Sequence, residues 1–246
     1  MPNLRLLIAA QIKSSSFGRV WVPADFAQLG HRDVVDKALQ RMVTAGELRR
    51  IDRGLYDKPM LNTLTKRLST ADYREVIGAI ARRDKLRILV DGMTAANDLG
   101  LTDAVPARVT LHTDARRRSI QVDQLLIEFK TTAASRLYWA ERPAMRVVQA
   151  LYWLKDTFES DADHILRRLE QILADAMYGA AITQDLADGF SVLPAWMQNF
   201  LRQLPAVEHE LVGANFAKQQ QTTKPPAPQK PRMPKRRVLK AQAATR

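Results

Sequence analysis

The sequence lacks cysteine, and this absence excludes several kinds of site. With no cysteine among 246 residues, there is no disulfide framework, thiolate metal site or cysteine nucleophile. No apolar run approaches the roughly 20 residues that cross a bilayer. The apolar residues 4–10 are interrupted by Arg5, and no small-residue cleavage site follows them, so we expect no secretory signal. These absences favour a cytoplasmic, water-soluble protein with no membrane partner.

Several signatures of enzymes are also missing. There is no glycine-rich phosphate loop, and no Gly-Ser pair followed by the paired aspartates of a nucleotidyltransferase. The four histidines, at positions 31, 112, 164 and 209, show no metal-ligand spacing. We therefore predict neither a metal nor an organic cofactor, and we favour a protein that is not an enzyme.

What the sequence does contain is an excess of positive charge, concentrated at its two ends. The chain carries 38 Lys and Arg against 26 Asp and Glu, a formal charge of +12. Residues 1–60 hold +4 and residues 218–246 hold +9, whereas residues 61–217 sum to −1. A basic balance of this size is typical of proteins with a polyanionic partner. The expected nucleic-acid footprint therefore lies at the two ends.

Composition divides the chain into three segments. Residues 218–246 consist mainly of Gln, Lys, Pro, Ala and Thr, with five of the twelve prolines, so they cannot bury enough apolar surface to fold. We predict a disordered basic tail there, whose stretch KPRMPKRR at 230–237 adds affinity for nucleic acid without sequence preference. The remaining residues are apolar enough to form a core. The predicted domains are residues 1–60 and 61–217, followed by the tail.

Residues 1–60 have the pattern of a winged helix-turn-helix. Apolar residues of 32–45 recur at the spacing of one buried helix face, and Gly46 is a typical helix end. Asp52, Arg53 and Gly54 form a turn typical of a hairpin. The predicted elements, in order, are a helix at 3–14, a strand at 20–22, a helix begun by Pro23, a helix at 32–45, and a hairpin of 48–51 and 55–57.

The outward face of the helix at 32–45 and the hairpin supply the candidate DNA contacts. The major groove admits a helix whose side chains bond base edges, and a wing can hold the backbone. Asp33 and Asp36 share the outward face and would repel phosphate. The alternative to DNA binding is that this helix face is simply solvated and that the turn is basic without contacting DNA. The predicted contacts are Arg32, Lys37, Gln40 and Arg41 from the helix, and Arg49, Arg50 and Arg53 from the wing.

After residue 60 the pattern predicts a mixed α/β domain with a helical carboxyl-terminal third that Pro143 opens. The fold class is therefore α+β, with the winged helix-turn-helix first. Trp139, Trp153 and Trp196 are expected in a core or an interface. The predicted elements are helices at 70–83 and 94–99, strands at 86–90, 108–112, 119–122 and 125–130, and a last helix at 194–204.

Two segments resemble a known family. Residues 36–59, DKALQRMVTAGELRRIDRGLYDKP, resemble the amino-terminal domain of AbiE-type antitoxins from type IV toxin–antitoxin systems. Residues 95–130 resemble the domain that follows, so the resemblance covers about residues 1–155, and the basic tail departs from the family. The matching elements are Ala38-Leu39-x-Arg41-Met42, Gly46-x-Leu48, Arg53-Gly54-x-Tyr56 with Pro59, Leu99-Gly100-Leu101 and Val105-Pro106.

The resemblance implies a transcriptional autorepressor that also acts as an antitoxin in abortive infection. Its first domain would bind repeats in its own promoter as double-stranded DNA. Its second domain would oppose a nucleotidyltransferase-type toxin without forming a stable complex. The resemblance gives no residue of the second domain a role.

Two other functions stay open. A stand-alone winged-helix regulator would lack a toxin gene beside it. A Mg-dependent nuclease is suggested by Glu128-Phe129-Lys130, with Asp91 or Asp114 as a second carboxylate, although a half-exposed strand produces the same alternation. Separately, Arg116, Arg117 and Arg118 are a candidate auxiliary nucleic-acid contact in the loop between two strands.

Overall fold

The computed structural model describes residues 3–16, 18–61, 63 and 66–222. Of the predicted tail, residues 223–246 lie outside the described residues, and so does the stretch KPRMPKRR. The fold is mixed α/β and contains two small sheets within the described part of the chain. No helix there is both long and apolar enough to cross a membrane.

The amino-terminal elements follow the predicted order, with one correction. They are α1 (Leu4–Lys13), a 3-10 helix (Pro23–Leu29), α2 (Arg32–Thr44), β1 (Arg49–Asp52) and β2 (Leu55–Asp57). The helix begun by Pro23 is therefore 3-10, with the Asp25 carboxylate accepting a hydrogen bond from the backbone N–H of Val22. The predicted strand at 20–22 is reduced to one bridge between Trp21 and Tyr56, because Pro23 follows directly and has no N–H to extend the pairing.

One face of α2 builds the smaller of two apolar clusters. Val35, Leu39 and Met42 are buried against Ile8 of α1 and Phe26 of the 3-10 helix. Ala38 and Val43 pack at the edge of this cluster, so the predicted apolar stripe of α2 is confirmed. Because α2 has this single buried stripe, its other faces remain available to a partner.

A four-stranded sheet follows, in the order β3-β4-β6-β5. The β4 and β6 strands are parallel, and the other neighbours are antiparallel. Helices and strands lie where the sequence predicts them, within a few residues at each end. The elements are α3 (Tyr73–Asp84), β3 (Ile88–Val90), α4 (Gly92–Asp98), β4 (Arg108–Thr113), β5 (Ile120–Val122) and β6 (Leu125–Thr131).

The carboxyl-terminal third is helical, as predicted, but it extends further than expected. Its helices are α5 (Met145–Leu154), α6 (Phe158–Leu173), α7 (Gly179–Asp188), α8 (Ala195–Leu201) and α9 (Pro205–Thr222). The predicted last helix at 194–204 is thus followed by another, which enters the segment predicted to be disordered from residue 218. Pro205 suits the first helical position, and the buried Leu204 and Val207 anchor its start.

The larger apolar cluster joins both parts of the chain. It contains Val20, Val22 and Leu55 from the amino-terminal elements together with α3, α5 and the sheet. Trp139 is also buried in it, which confirms the core position predicted for this tryptophan. The hairpin is therefore held against α3, which fixes the orientation of the candidate interface described next.

Candidate nucleic-acid interface

A groove of about 410 Å³ separates α2 from the β1–β2 hairpin. One wall is a stripe of α2 containing Arg32, Asp36, Gln40 and Thr44, since these residues recur at the helical period. The opposite wall is the hairpin, where Gly54 takes a positive φ of 73° at the turn. The groove is lined by Arg32, Asp36, Gln40, Val43, Thr44, Arg50, Arg53, Gly54 and Tyr56.

The groove brings together four of the seven predicted contacts, namely Arg32, Gln40, Arg50 and Arg53. Arg32 is also paired with Asp36, at 3.0 Å between Nε and Oδ2. Such an exposed i, i+4 pair contributes little free energy, but it offsets part of the Asp36 charge beside the groove.

Lys37 and Arg41 lie on the neighbouring stripe of α2. Both are exposed, and they stand four residues apart on one helical line. Neither lines the groove. They therefore extend the basic surface of α2 away from the hairpin.

Arg49 differs from the other hairpin arginines because it faces a buried carboxylate. Its Nε and Nη2 atoms donate to the Asp57 carboxylate at 3.0 and 2.6 Å. The Asp57 side chain is only 6% exposed. The hydrogen bond with Asp57 raises the pKa of Arg49. The DNA contact predicted for Arg49 therefore competes with a partly buried ion pair.

Arg83 of α3 holds the tip of the hairpin. Its Nη1 atom donates to the backbone carbonyl of Arg53 and lies 3.3 Å from the Asp52 carboxylate. Its Nε and Nη2 atoms both donate to the Asp84 carboxylate at 2.9 Å. These hydrogen bonds hold the pKa of Asp84 below its ordinary value. The position of the hairpin is thus set by a side chain outside the first 60 residues.

The three-arginine loop is joined to this anchor. Arg117 donates from Nε to the Asp84 carboxylate at 3.1 Å. Arg116 and Arg118 are exposed and form no ion pair with any carboxylate that the structure describes. The loop is therefore linked to the hairpin through Asp84 and Arg83, and two of its three arginines remain available.

Two of the carboxylates proposed for a nuclease, those of Asp91 and Glu128, have partners within the protein. The Asp91 carboxylate accepts hydrogen bonds from the N–H and hydroxyl of Thr94 and from the N–H of Thr110, at 3.0, 2.8 and 2.9 Å. It thereby caps α4 and ties α4 to β4. Glu128 lies 3.8 Å from Arg108, and Asp114 is exposed. Over the described ranges, no three His, Asp or Glu side chains are placed to hold a metal ion.

A family model matches residues 7–176, which is more than half of the chain. The chain belongs to the DUF6088 family. This family is described only as one of unknown function, so membership brings no activity with it. No curated protein matches the chain.

The region shared with the DUF6088 family runs from α1 to just beyond α6. It therefore includes the groove, the Arg83 anchor and the sheet, and it leaves α7 to α9 outside. Sequence reasoning missed Arg83, because its partners Asp52 and Arg53 lie about 30 residues away. No periodicity within α3 could have indicated them, because such a pattern concerns the residues of that helix alone.

Proposed function

We propose that this chain is a sequence-specific, double-stranded DNA-binding protein, with α2 as recognition helix and the β1–β2 hairpin as wing of a winged helix-turn-helix. The observation that carries the proposal is the groove between them, into which Arg32 and Gln40 project from the helix and Arg50 and Arg53 from the hairpin. A helix beside a basic hairpin matches the shape of a major groove flanked by phosphates.

The contacts divide by chemistry. Lys37, Gln40 and Arg41 can donate to base edges, because Lys and Arg bond guanine and Gln bonds adenine. Arg50 and Arg53 hold register on the backbone without reading sequence. With 13 residues and a rise of about 1.5 Å each, α2 extends about 20 Å. This length is enough to place two helical turns inside the major groove of DNA.

The acidic residues of α2 do not prevent this docking. Asp36 is paired with Arg32, and Asp33 lies in the first turn of α2. A carboxylate in the first turn interacts favourably with the helix dipole.

We further propose that the protein is a cytoplasmic autorepressor and the antitoxin of a type IV abortive-infection system. The support is the resemblance of residues 36–59 and 95–130 to AbiE-type antitoxins. Its functional partner would be a nucleotidyltransferase-type toxin, opposed without a stable complex. The second candidate is a stand-alone winged-helix regulator, which the same groove supports equally well.

The DNA proposal is tested by fluorescence anisotropy with the full chain and a labelled fragment from upstream of its own gene. Lys37→Ala and Arg41→Ala should each weaken binding by about 1–3 kcal/mol, because each loses a base contact. Arg167→Ala, on an exposed face of α6, is the matched control and should bind as the wild type does. Equal affinity of the wild type for the fragment and for a shuffled sequence would contradict the proposal.

The antitoxin proposal is tested by separating repression from protection. A Lys37→Ala/Arg41→Ala/Arg53→Ala variant should release a promoter reporter yet still rescue cells from the neighbouring toxin, supplied from an independent promoter. Arg116→Ala/Arg118→Ala should leave repression intact and impair rescue, and it spares the Arg117–Asp84 pair. Loss of rescue together with repression in the first variant would contradict the division of labour between the two parts.

A further inference from the structure

A second cavity, of about 780 Å³, lies on the helical part of the molecule, away from α2 and the hairpin. It opens where α4 and α6 end and where α3, α5 and α7 begin. A volume of this size is within the range of small-molecule sites. Four arginines line it: Arg74, Arg142, Arg146 and Arg168.

Two of these arginines share one buried carboxylate. The Nη2 atom of Arg74 and the Nε atom of Arg146 lie 2.6 and 2.9 Å from the two carboxylate oxygens of Asp98. The Asp98 side chain is 2% exposed, whereas the two arginines are 46% and 33% exposed. The carboxylate therefore orients both guanidinium groups. Arg74 also lies 4.0 Å from the Asp72 carboxylate, so its charge is largely balanced, and Arg146 is the one of the two that can turn part of its charge toward a ligand.

Arg168 contributes an uncompensated charge. Its Nε donates to the backbone carbonyl of Leu99 at 2.8 Å, and its Nη1 donates to the Gln171 side-chain oxygen at 3.1 Å. Both acceptors are neutral, and no carboxylate of the described part of the chain forms an ion pair with it. These two bonds fix the guanidinium while leaving its charge for a ligand.

The other charged side chains of the cavity are one arginine that is paired with a carboxylate and two carboxylates that would repel an anion. Arg142 is paired with Asp185 at 2.7 Å. Asp175 accepts hydrogen bonds from the N–H groups of Met177 and Tyr178, which offset part of its charge. Glu141 lines the cavity and forms no ion pair among the described residues, so it should weaken the binding of an anion.

The rest of the lining is apolar and includes an aromatic ring. Leu99, Val147, Ile172 and Ile182 form this part, and Tyr178 lies beside them with 63% of its surface exposed. An apolar wall next to guanidinium groups suits a ligand with one flat, weakly polar part and one phosphate part. Planar guanidinium groups bind phosphate in a bidentate manner.

We infer that this cavity binds a nucleotide, with its phosphates against Arg146 and Arg168 and its base against the apolar wall beside Tyr178. The inference does not depend on DNA binding, because no residue of the cavity belongs to α2 or the hairpin.

The test is isothermal titration of the full chain with GTP, ATP, GMP, AMP, ribose 5-phosphate and inorganic phosphate. At least one nucleotide should bind, and ribose 5-phosphate and inorganic phosphate should bind at least about tenfold more weakly because they lack a base. Arg168→Gln should weaken the nucleotide by about tenfold or more, since a charge-assisted hydrogen bond is lost. Arg167→Gln, the neighbouring exposed arginine, should change nothing.

Two further variants test the cavity independently of Arg168→Gln, in case that variant does not fold. Ala181→Trp fills the cavity from an exposed position without removing a charge and should abolish binding, whereas Glu141→Gln should tighten it a few-fold. Thermal unfolding verifies that each variant is folded. The inference is overturned if no nucleotide binds at millimolar concentration, if inorganic phosphate binds as well as any nucleotide, or if folded Arg168→Gln and Ala181→Trp bind like the wild type.

Discussion

Two arginines of the same hairpin should respond to mutation in opposite ways. Arg49 is paired with the buried Asp57, whereas the Arg53 side chain is exposed and lines the groove. Arg49→Met keeps most of the apolar length of the side chain and removes the charge. Arg53→Met makes the same chemical change at the tip of the hairpin.

The expected loss in the free energy of unfolding of Arg49→Met follows from the ion pair that the substitution breaks. Removing one partner of a fully buried ion pair costs roughly 3–5 kcal/mol. Because the Arg49 side chain is 27% exposed, water can compensate in part, and we expect a loss of about 2 kcal/mol in the free energy of unfolding. In a chain of this size that is roughly 4–8 °C in Tm. Arg53→Met should stay within about 0.5 kcal/mol of the wild type.

Urea denaturation and anisotropy of labelled DNA measure the two effects on the same samples. Arg49→Met should lose stability and, where folded, retain most of its DNA affinity. Arg53→Met should retain stability and bind all DNA sequences more weakly. If Arg49→Met is as stable as the wild type but loses as much DNA affinity as Arg53→Met, the Arg49–Asp57 pair is not what holds this side chain.

Three further results are expected. Arg83→Ala should weaken DNA binding several-fold for all sequences, measured by anisotropy, because the wing tip loses its anchor; an unchanged affinity would show that the wing needs no support from α3. Deleting residues 223–246 should reduce the slope of log affinity against log salt by roughly 2, if about a third of its eight positive charges contact phosphate; an unchanged slope would mean no contact. Burial and nearby Lys130 lower the pKa of His112 in the folded chain. As the pH falls, this imidazole is therefore protonated first in the unfolded chain, and the free energy of unfolding decreases below about pH 6.5. His112→Gln should flatten that loss in thermal unfolding between pH 7 and 5, and an identical loss in the variant would exclude His112 as its source.

The elements that the sequence predicts well are those with a local signal. The apolar spacing of α2 places Val35, Leu39 and Met42 on one buried face, and Gly54 marks the hairpin turn. Both signals, the helical spacing and the turn glycine, depend only on residues that are close together in the sequence. The helix predicted to begin at Pro23 is present, but its 3-10 type was not predicted, because a proline suits the start of either helix type. The helix α9 was not predicted, because its start depends on the packing of Leu204 and Val207.

The contacts that sequence could not predict join distant parts of the chain. Arg49 looks like any other arginine of the hairpin until its register places it opposite Asp57. Arg83 reaches Asp52 only because α3 packs beside the hairpin. The second cavity is assembled from the ends of five helices, and no local pattern connects Arg74 with Arg168.

The most direct test of the central claim uses the absence of cysteine from the chain. A single Gln40→Cys or Arg53→Cys substitution provides a unique thiol to which an iron chelate can be attached, so that bound DNA is cleaved close to that residue. A chelate at position 40 should cleave the DNA within one major-groove segment of the promoter fragment, and a chelate at position 53 should cleave the backbone flanking that segment. A chelate on Arg167→Cys in α6 should produce no cleavage at a defined place. Cleavage from position 167 with none from position 40, while the protein remains bound, would contradict α2 as the recognition helix.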